Sequence, residues 1–145
     1  MRGLPPPPAA PTSPDPGSFL MQRFSEAYPI WFCDIWGVVH DGYKPFPLTI
    51  AALKRHRERG GTVILVTNSP RSHLGVERQI AEIGVDPASH DRIVTSGDVT
   101  QVLMKLHGGQ GVFHLGAERD HSIYDGTGVS RVPLEEAEAV LCTGL

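Results

Sequence analysis

Ile30-Trp31-Phe32-Cys33-Asp34-Ile35-Trp36-Gly37 is the stretch whose character settles the architecture. It is aromatic and β-branched, ends in a glycine and holds one carboxylate inside an apolar run, which predicts a buried strand. A charge placed there is costly unless it is used. Asp34 is therefore the first candidate for chemistry, against the plainer role of a strand-end carboxylate bonded to a loop. Cys33, one position earlier, falls on the opposite strand face and reads as a small core residue. Trp31 and Phe32 read as sheet-face packing.

Short apolar runs alternate with amphipathic stretches on the C-terminal side of this strand. Pro47 opens a helix as its first-turn residue, with Leu48, Ile50, Ala51, Ala52 and Leu53 as its apolar positions. Lys54, Arg55, Arg57 and Arg59 crowd its last turns, where cations suit the helix dipole, and Gly60-Gly61 ends it. A second strand, Thr62-Val63-Ile64-Leu65-Val66, runs into Thr67-Asn68. Ser69 then serves as an N-cap and Pro70 as the first residue of a second helix. Val76, Ile80 and Ile83 stripe that helix at helical spacing, and Gly84 stops it. A third strand, Arg92-Ile93-Val94-Thr95, leads through Ser96-Gly97 into a helix whose stripe Val99, Val102, Leu103, Leu106 predicts a buried face. Strands are also predicted at Gly111-Val112-Phe113-His114-Leu115 and Ala139-Val140-Leu141-Cys142. The βαβαβαβ(α)β order predicts an α/β fold, Rossmann-like, with a mainly parallel sheet and flanking helices. No covering helix follows the last run, so the sheet reads as incomplete at the C-terminus.

The 145 residues carry 13 Lys and Arg against 16 Asp and Glu, a net charge of −3. That balance excludes a basic nucleic-acid footprint and argues against an anionic membrane surface. No apolar run reaches the roughly 20 residues that span a bilayer. Cys33 and Cys142 form neither a disulfide framework nor a zinc spacing, so a reducing, cytoplasmic setting is expected. The seven histidines show no metal-ligand spacing and read as solvated or locally bonded. Seven of the 13 prolines fall within residues 5–16, which predicts an extended, solvated segment. Residues 1–27 are accordingly expected to be a disordered leader, with Met21 as an alternative start.

In open parallel sheets, ligands sit outside the carboxyl ends of the strands. Asp34, Thr67 and Asn68 all end strands at that edge. A helix opening at Pro70 would aim free N–H groups there, and Ser69 and Arg71 add a hydroxyl and a guanidinium suited to phosphate. Hydroxyl, amide, helix end and guanidinium together point to a bound phosphoryl group. A carboxylate facing a phosphate needs a cation between them, for which Mg²⁺ is the natural choice. Asp34 then acts as a nucleophile, giving an aspartyl-phosphate that water hydrolyses.

Asp34-Ile35-Trp36-Gly37-Val38-Val39-His40-Asp41-Gly42, Pro45-Phe46-Pro47, Val66-Thr67-Asn68-Ser69-Pro70-Arg71 and Ile93-Val94-Thr95-Ser96-Gly97 resemble motifs of the haloacid dehalogenase (HAD) superfamily, closest to its subfamily IIA. Phe113-His114-Leu115-Gly116 and Val140-Leu141-Cys142-Thr143-Gly144 are similar to later strands of that subfamily. The resemblance implies Asp34 as nucleophile and Mg²⁺ ligand, the Trp36 backbone carbonyl as a second ligand, and Thr67 as the hydroxyl on the phosphate, supported by Asn68. It also implies a second Asp two positions after the nucleophile as general acid and base. Trp36 stands there instead, with Asp41 or His40 as stand-ins on the following loop. An aromatic residue at this position also resembles the haloacid dehalogenases themselves. The family's later motifs, a Lys and an acidic Mg²⁺ ligand, have no counterpart in this sequence.

The expected organisation is a leader at 1–27, the N-terminal part of a HAD-like core at 28–107, and the truncated start of an α/β cap at 108–145. The expected function is that of a HAD-like hydrolase fragment acting on a small phosphorylated metabolite, the isolated chain being inactive. The alternative is a non-catalytic module that binds an anion or completes its sheet as a homodimer or with another chain. Carbon–halogen hydrolysis is a minor third reading.

Overall fold

The structure is a computed structural model that describes residues 16–109 and 111–144, with side chains from residue 21 onward. The proline-rich stretch before Pro16 lies outside the described residues.

Strands β1 (Ile30–Asp34), β2 (Thr62–Thr67) and β3 (Arg92–Thr95) form a parallel sheet in that spatial order. Asp34 pairs with Val66, and Thr67 with Thr95, so the three carboxyl ends finish level. Successive side chains alternate faces. Val63 and Leu65 point to one face with Trp31, Cys33 and Ile93, where α2 (Pro47–Glu58) and α3 (His73–Ile83) bring Leu53, Val76 and Ile80. Ile35, Val39 and Val85 complete this buried core. Pro47 sits in the first turn of α2, and Gly60 turns the chain out of it at φ 87°.

The opposite sheet face is open. Ile30, Phe32, Val66 and Val94 lie on it with 53%, 72%, 38% and 40% of their surface exposed. No described strand pairs with the outer edge of β1. Phe32 is thus not packed as its sequence context predicts, because what would cover its face is not among the described residues.

A second parallel sheet follows helix α4 (Ser96–His107), built from β4 (Gly111–Leu115), β5 (Ser130–Arg131) and β6 (Ala139–Cys142) in the order β5-β4-β6. Val112, Val129 and Met104 are its buried centre. The described backbone therefore holds two three-stranded sheets, and β5 is too short for its sequence to announce it.

Three expectations are corrected. Residues 16–27 are not a disordered leader: helix α1 (Pro16–Ala27) packs on α2, where Ser25 Oγ lies 2.7 Å from His56 Nδ1. That histidine is buried, stacked 4.0 Å from the Trp31 ring. The helix expected at Pro70 starts three residues later. Ser72, not Ser69, caps α3 by accepting from the Gly75 N–H. The reason lies in tertiary contact: the Ser69 carbonyl accepts from Gly97 N, and the Pro70 carbonyl packs on Gly97 so closely that a Cβ there would lie 2.2 Å away. The α4 stripe is the third. Val99, Val102, Leu103 and Leu106 are each at least half exposed, and α4 buries Gly97 and Met104 instead.

Candidate active site

The level carboxyl ends of β1 and β2 place Asp34 beside Thr67 and Asn68. These three, with Phe32, Cys33 and Val66, line an open recess of about 530 Å³. Asp34 Oδ1 accepts the Ile35 N–H at 2.8 Å, which fixes the carboxylate at the strand end. The other oxygen, Oδ2, accepts no hydrogen bond from a described residue, and the residue is exposed. Thr67 Oγ1 accepts the Ser69 N–H at 3.2 Å. One of its two lone pairs is thereby used, and its own proton is left to donate to an anion.

Ser69 and Arg71 are not drawn into this recess. The Ser69 hydroxyl accepts the Arg71 N–H at 3.2 Å, and the Arg71 guanidinium reaches Gln79 Oε1 at 3.0 Å on α3. At the α3 N-terminus, two of the donors expected to be free are engaged. The His73 N–H goes to Asp98 Oδ2 at 3.0 Å and the Gly75 N–H to Ser72. The anion-facing groups reduce to a side-chain set from the two strand ends.

The loop after Asp34 is tightly folded. The Ile35 carbonyl accepts from Val38 and Val39, and Gly37 adopts φ 75°. Trp36 is 63% exposed. Its indole sits edge-on to His40 at 5.8 Å and over Gly42, where a Cβ would come within 2.6 Å. Both stand-ins are partly engaged. The Asp41 carboxylate accepts the Tyr43 and Lys44 N–H groups, which hold it below the usual carboxylate range. His40 is buried, and its Nδ1 accepts the Gly42 N–H. Burial lowers its pKa, outweighing the opposing pull of Asp41. The Cys33 thiol is pushed up by burial and by Asp34, so it is a poor nucleophile.

A family model described as haloacid dehalogenase-like hydrolase matches residues 31–130, which include every group of this recess. The chain belongs to that family. Among solved structures, a haloacid dehalogenase-like hydrolase from Brucella suis 1330 is 50% identical, with a TM-score of 0.80 over 86% of this chain and 48% of its own. A glycerol phosphate phosphatase from Mycobacterium tuberculosis, solved with magnesium, is 23% identical, with a TM-score of 0.63 over 83% of this chain and 37% of its own. A p-nitrophenyl phosphatase from Archaeoglobus fulgidus is 23% identical, with a TM-score of 0.63 over 78% and 44%. The HAD-like chain thus spans about half the length of these structures or less. No curated protein matches it.

For a hard cation, the donors present are the free Asp34 oxygen and main-chain carbonyls at the turn. The described residues hold no group of three or more His, Cys, Asp or Glu placed to bind a metal. One carboxylate completed by substrate oxygens and waters suits Mg²⁺, which keeps part of its hydration shell. Sequence reading placed Asp34, Thr67 and Asn68 at the strand ends, where they lie. It missed that Arg71 belongs elsewhere, because the Gln79 contact depends on where α3 begins.

Proposed function

We propose that this chain provides the nucleophile half of a Mg²⁺-dependent phosphate-ester hydrolase acting on a small phosphorylated metabolite in the cytoplasm. The observation that carries the reading is Asp34: one oxygen pinned by Ile35, the other without a hydrogen bond from a described residue, beside a Thr67 hydroxyl that accepts from the Ser69 N–H and keeps its own proton to donate. Asp34 Oδ2 attacks phosphorus, the ester oxygen leaves with the alcohol, and the aspartyl-phosphate is hydrolysed by water. Thr67 and Asn68 hold the phosphoryl oxygens. Asp34 and the Trp36 carbonyl would hold Mg²⁺, which supplies charge neutralisation between carboxylate and phosphate. Trp36 transfers no proton, so the leaving alcohol must take its proton from solvent. Relatives named as phosphatases support this reading.

The test is Mg²⁺-dependent release of p-nitrophenol from p-nitrophenyl phosphate by wild type and Asp34→Asn. The chain alone is expected to turn over at background, and a mixture with the separately expressed C-terminal half of the Brucella suis relative is expected to show activity that Asp34→Asn removes. Activity that survives Asp34→Asn would discard the nucleophile. Release of chloride from chloroacetate instead of phosphate would favour the dehalogenase chemistry.

A second reading has its own observation, the open apolar face and free edge of β1. Here the chain is an assembly module, and its occupant is an α/β segment equivalent to the half of the relatives that it does not span. Light scattering of the same mixture is expected to give a one-to-one complex. A symmetric dimer of the chain alone would identify a second copy as the occupant.

A further inference from the structure

Several basic side chains around the first sheet have an acidic partner. Lys54 meets Asp86, Arg57 meets Asp91, and His73 and His90 meet Asp98 and Glu77. Three arginines without such a partner gather in one place instead. Arg71 from the loop after β2, Arg78 from α3 and Arg119 from the 3-10 segment Glu118–Tyr124 line one recess of about 430 Å³, and none joins an ion pair among the described residues. A single carboxylate, Glu82, shares the wall. In a chain of net charge −3, this corner gathers an excess of two positive charges.

Two of the three guanidiniums are held by hydrogen bonds. Arg71 Nη1 is fixed by Gln79 Oε1 at 3.0 Å, and Arg78 Nε by the Leu74 carbonyl at 3.3 Å. Fixing Arg78 through Nε leaves both of its terminal nitrogens free to donate. Ser72 and Ser122 add hydroxyls, the former accepting from Gly75 and keeping its own proton to donate. Like charges converging from three elements are unfavourable until an anion joins them. Forked donors of this kind match phosphate oxygens.

Ser72, Arg78 and Ser122 also line a second, adjoining recess of about 340 Å³, which Gln101 and Asp125 complete. Its walls are polar, and the Asp125 carboxylate accepts hydroxyl protons. Cation at the mouth and acceptors behind it describe a ligand with an anionic head and a hydroxylated body. Neither recess includes Asp34, Thr67 or Asn68.

We propose that the cleft between α3 and the 118–124 segment is a binding site for a phosphorylated, hydroxyl-rich small molecule, its phosphoryl group held by Arg71, Arg78 and Arg119. The site is independent of the Asp34 recess and does not require that recess to be catalytic.

Calorimetric titration of the chain with glucose 6-phosphate, inorganic phosphate and glucose tests it. Wild type and Asp34→Asn are expected to bind glucose 6-phosphate alike, inorganic phosphate more weakly and glucose not at all. Arg78→Gln and Arg119→Gln are each expected to weaken glucose 6-phosphate about tenfold or more, as for loss of a charged hydrogen bond. Both side chains are exposed, so the variants keep the wild-type melting temperature. Absence of binding at 10 mM (about the weakest affinity worth calling a site) overturns the proposal. So does binding that Asp34→Asn abolishes and the arginine variants leave intact, since the anion would then sit at the strand ends. Equal binding of glucose would remove the phosphoryl group from the assignment.

Discussion

In the proposed reaction, Trp36 stands two residues beyond the attacking carboxylate and supplies no proton to the leaving group from that position. The two nearby stand-ins are partly engaged. Asp41 gives one carboxylate oxygen to the Tyr43 and Lys44 N–H groups, which favour its ionised form, and His40 is buried with Nδ1 engaged. Trp36→Asp is therefore expected to raise p-nitrophenyl phosphate turnover of the complemented protein by about 10²–10⁴, the range for a general acid–base group. With this good leaving group the gain falls at the low end, and an alkyl phosphate shows more of it. A steady-state comparison of the two substrates checks this, and an unchanged rate for both would mean that protonation does not limit turnover. Acid sensitivity is set by other carboxylates. The Arg57 guanidinium, and then the Val63 N–H, hold Asp91 below its ordinary value near 3.8. A lowered folded pKa means that the unfolded state binds more protons in this window. The stability it contributes is present above about pH 4 and lost as pH falls through the folded value. Asp91→Asn is expected to lower stability at pH 7 by about 1 kcal/mol, after allowance for solvent screening. It should also flatten the fall between about pH 4 and 2, as read by urea unfolding across pH.

At the scale of elements, the strands were legible because β1, β2 and β3 are β-branched runs that end in polar or glycine punctuation. Asp34, Thr67 and Asn68 could be placed because a strand end fixes its residues within one or two positions. The start of α3 was not legible. Ser69 and Ser72 are equally good caps locally, and only the contact of the Ser69–Pro70 backbone with Gly97 decides between them. Periodicity likewise located the apolar side of α4 but not whether anything covers it. The Gly97 contact carries a prediction of its own. A methyl group there meets the Pro70 and Arg71 carbonyls at 2.2 and 2.6 Å, and these are backbone atoms that cannot rotate away. Gly97→Ala is expected to destabilise by about 2 kcal/mol, the usual scale of overpacking, and to displace the loop that follows Thr67. Urea unfolding gives the first effect. Loss of Asp34-dependent activity in the complemented protein gives the second, whereas a variant as stable as wild type would show that the loop yields without cost.

For the whole molecule, the decisive asymmetry is that one face of the first sheet is covered by α2 and α3 while, among the described residues, the other is largely uncovered. Parallel strands are ordinarily buried on both faces, because their crossover helices lie on both sides. Here the bare face carries Ile30, Phe32, Val66 and Val94, and α4 exposes Val99, Val102, Leu103 and Leu106. Surface of this kind favours association, and the free edge of β1 offers unpaired N–H and carbonyl groups in the same place. Phe32 is the most informative position, since it is 72% exposed on the bare face yet adjacent to core residues on the other. Phe32→Glu removes an apolar side chain that contributes little to folding of the chain by itself, so stability is expected to change by less than about 0.5 kcal/mol. Binding of the complementary half would have to bury that charge and is expected to fall by at least about a hundredfold, a cost in keeping with burying an unpaired carboxylate. Analytical ultracentrifugation of the mixture measures the second effect, and thermal unfolding of the chain alone measures the first. A complex of undiminished affinity would place the covering segment elsewhere than on this face. A large loss of stability in the isolated chain would show that Phe32 is already packed in solution, by a second copy or by the chain itself.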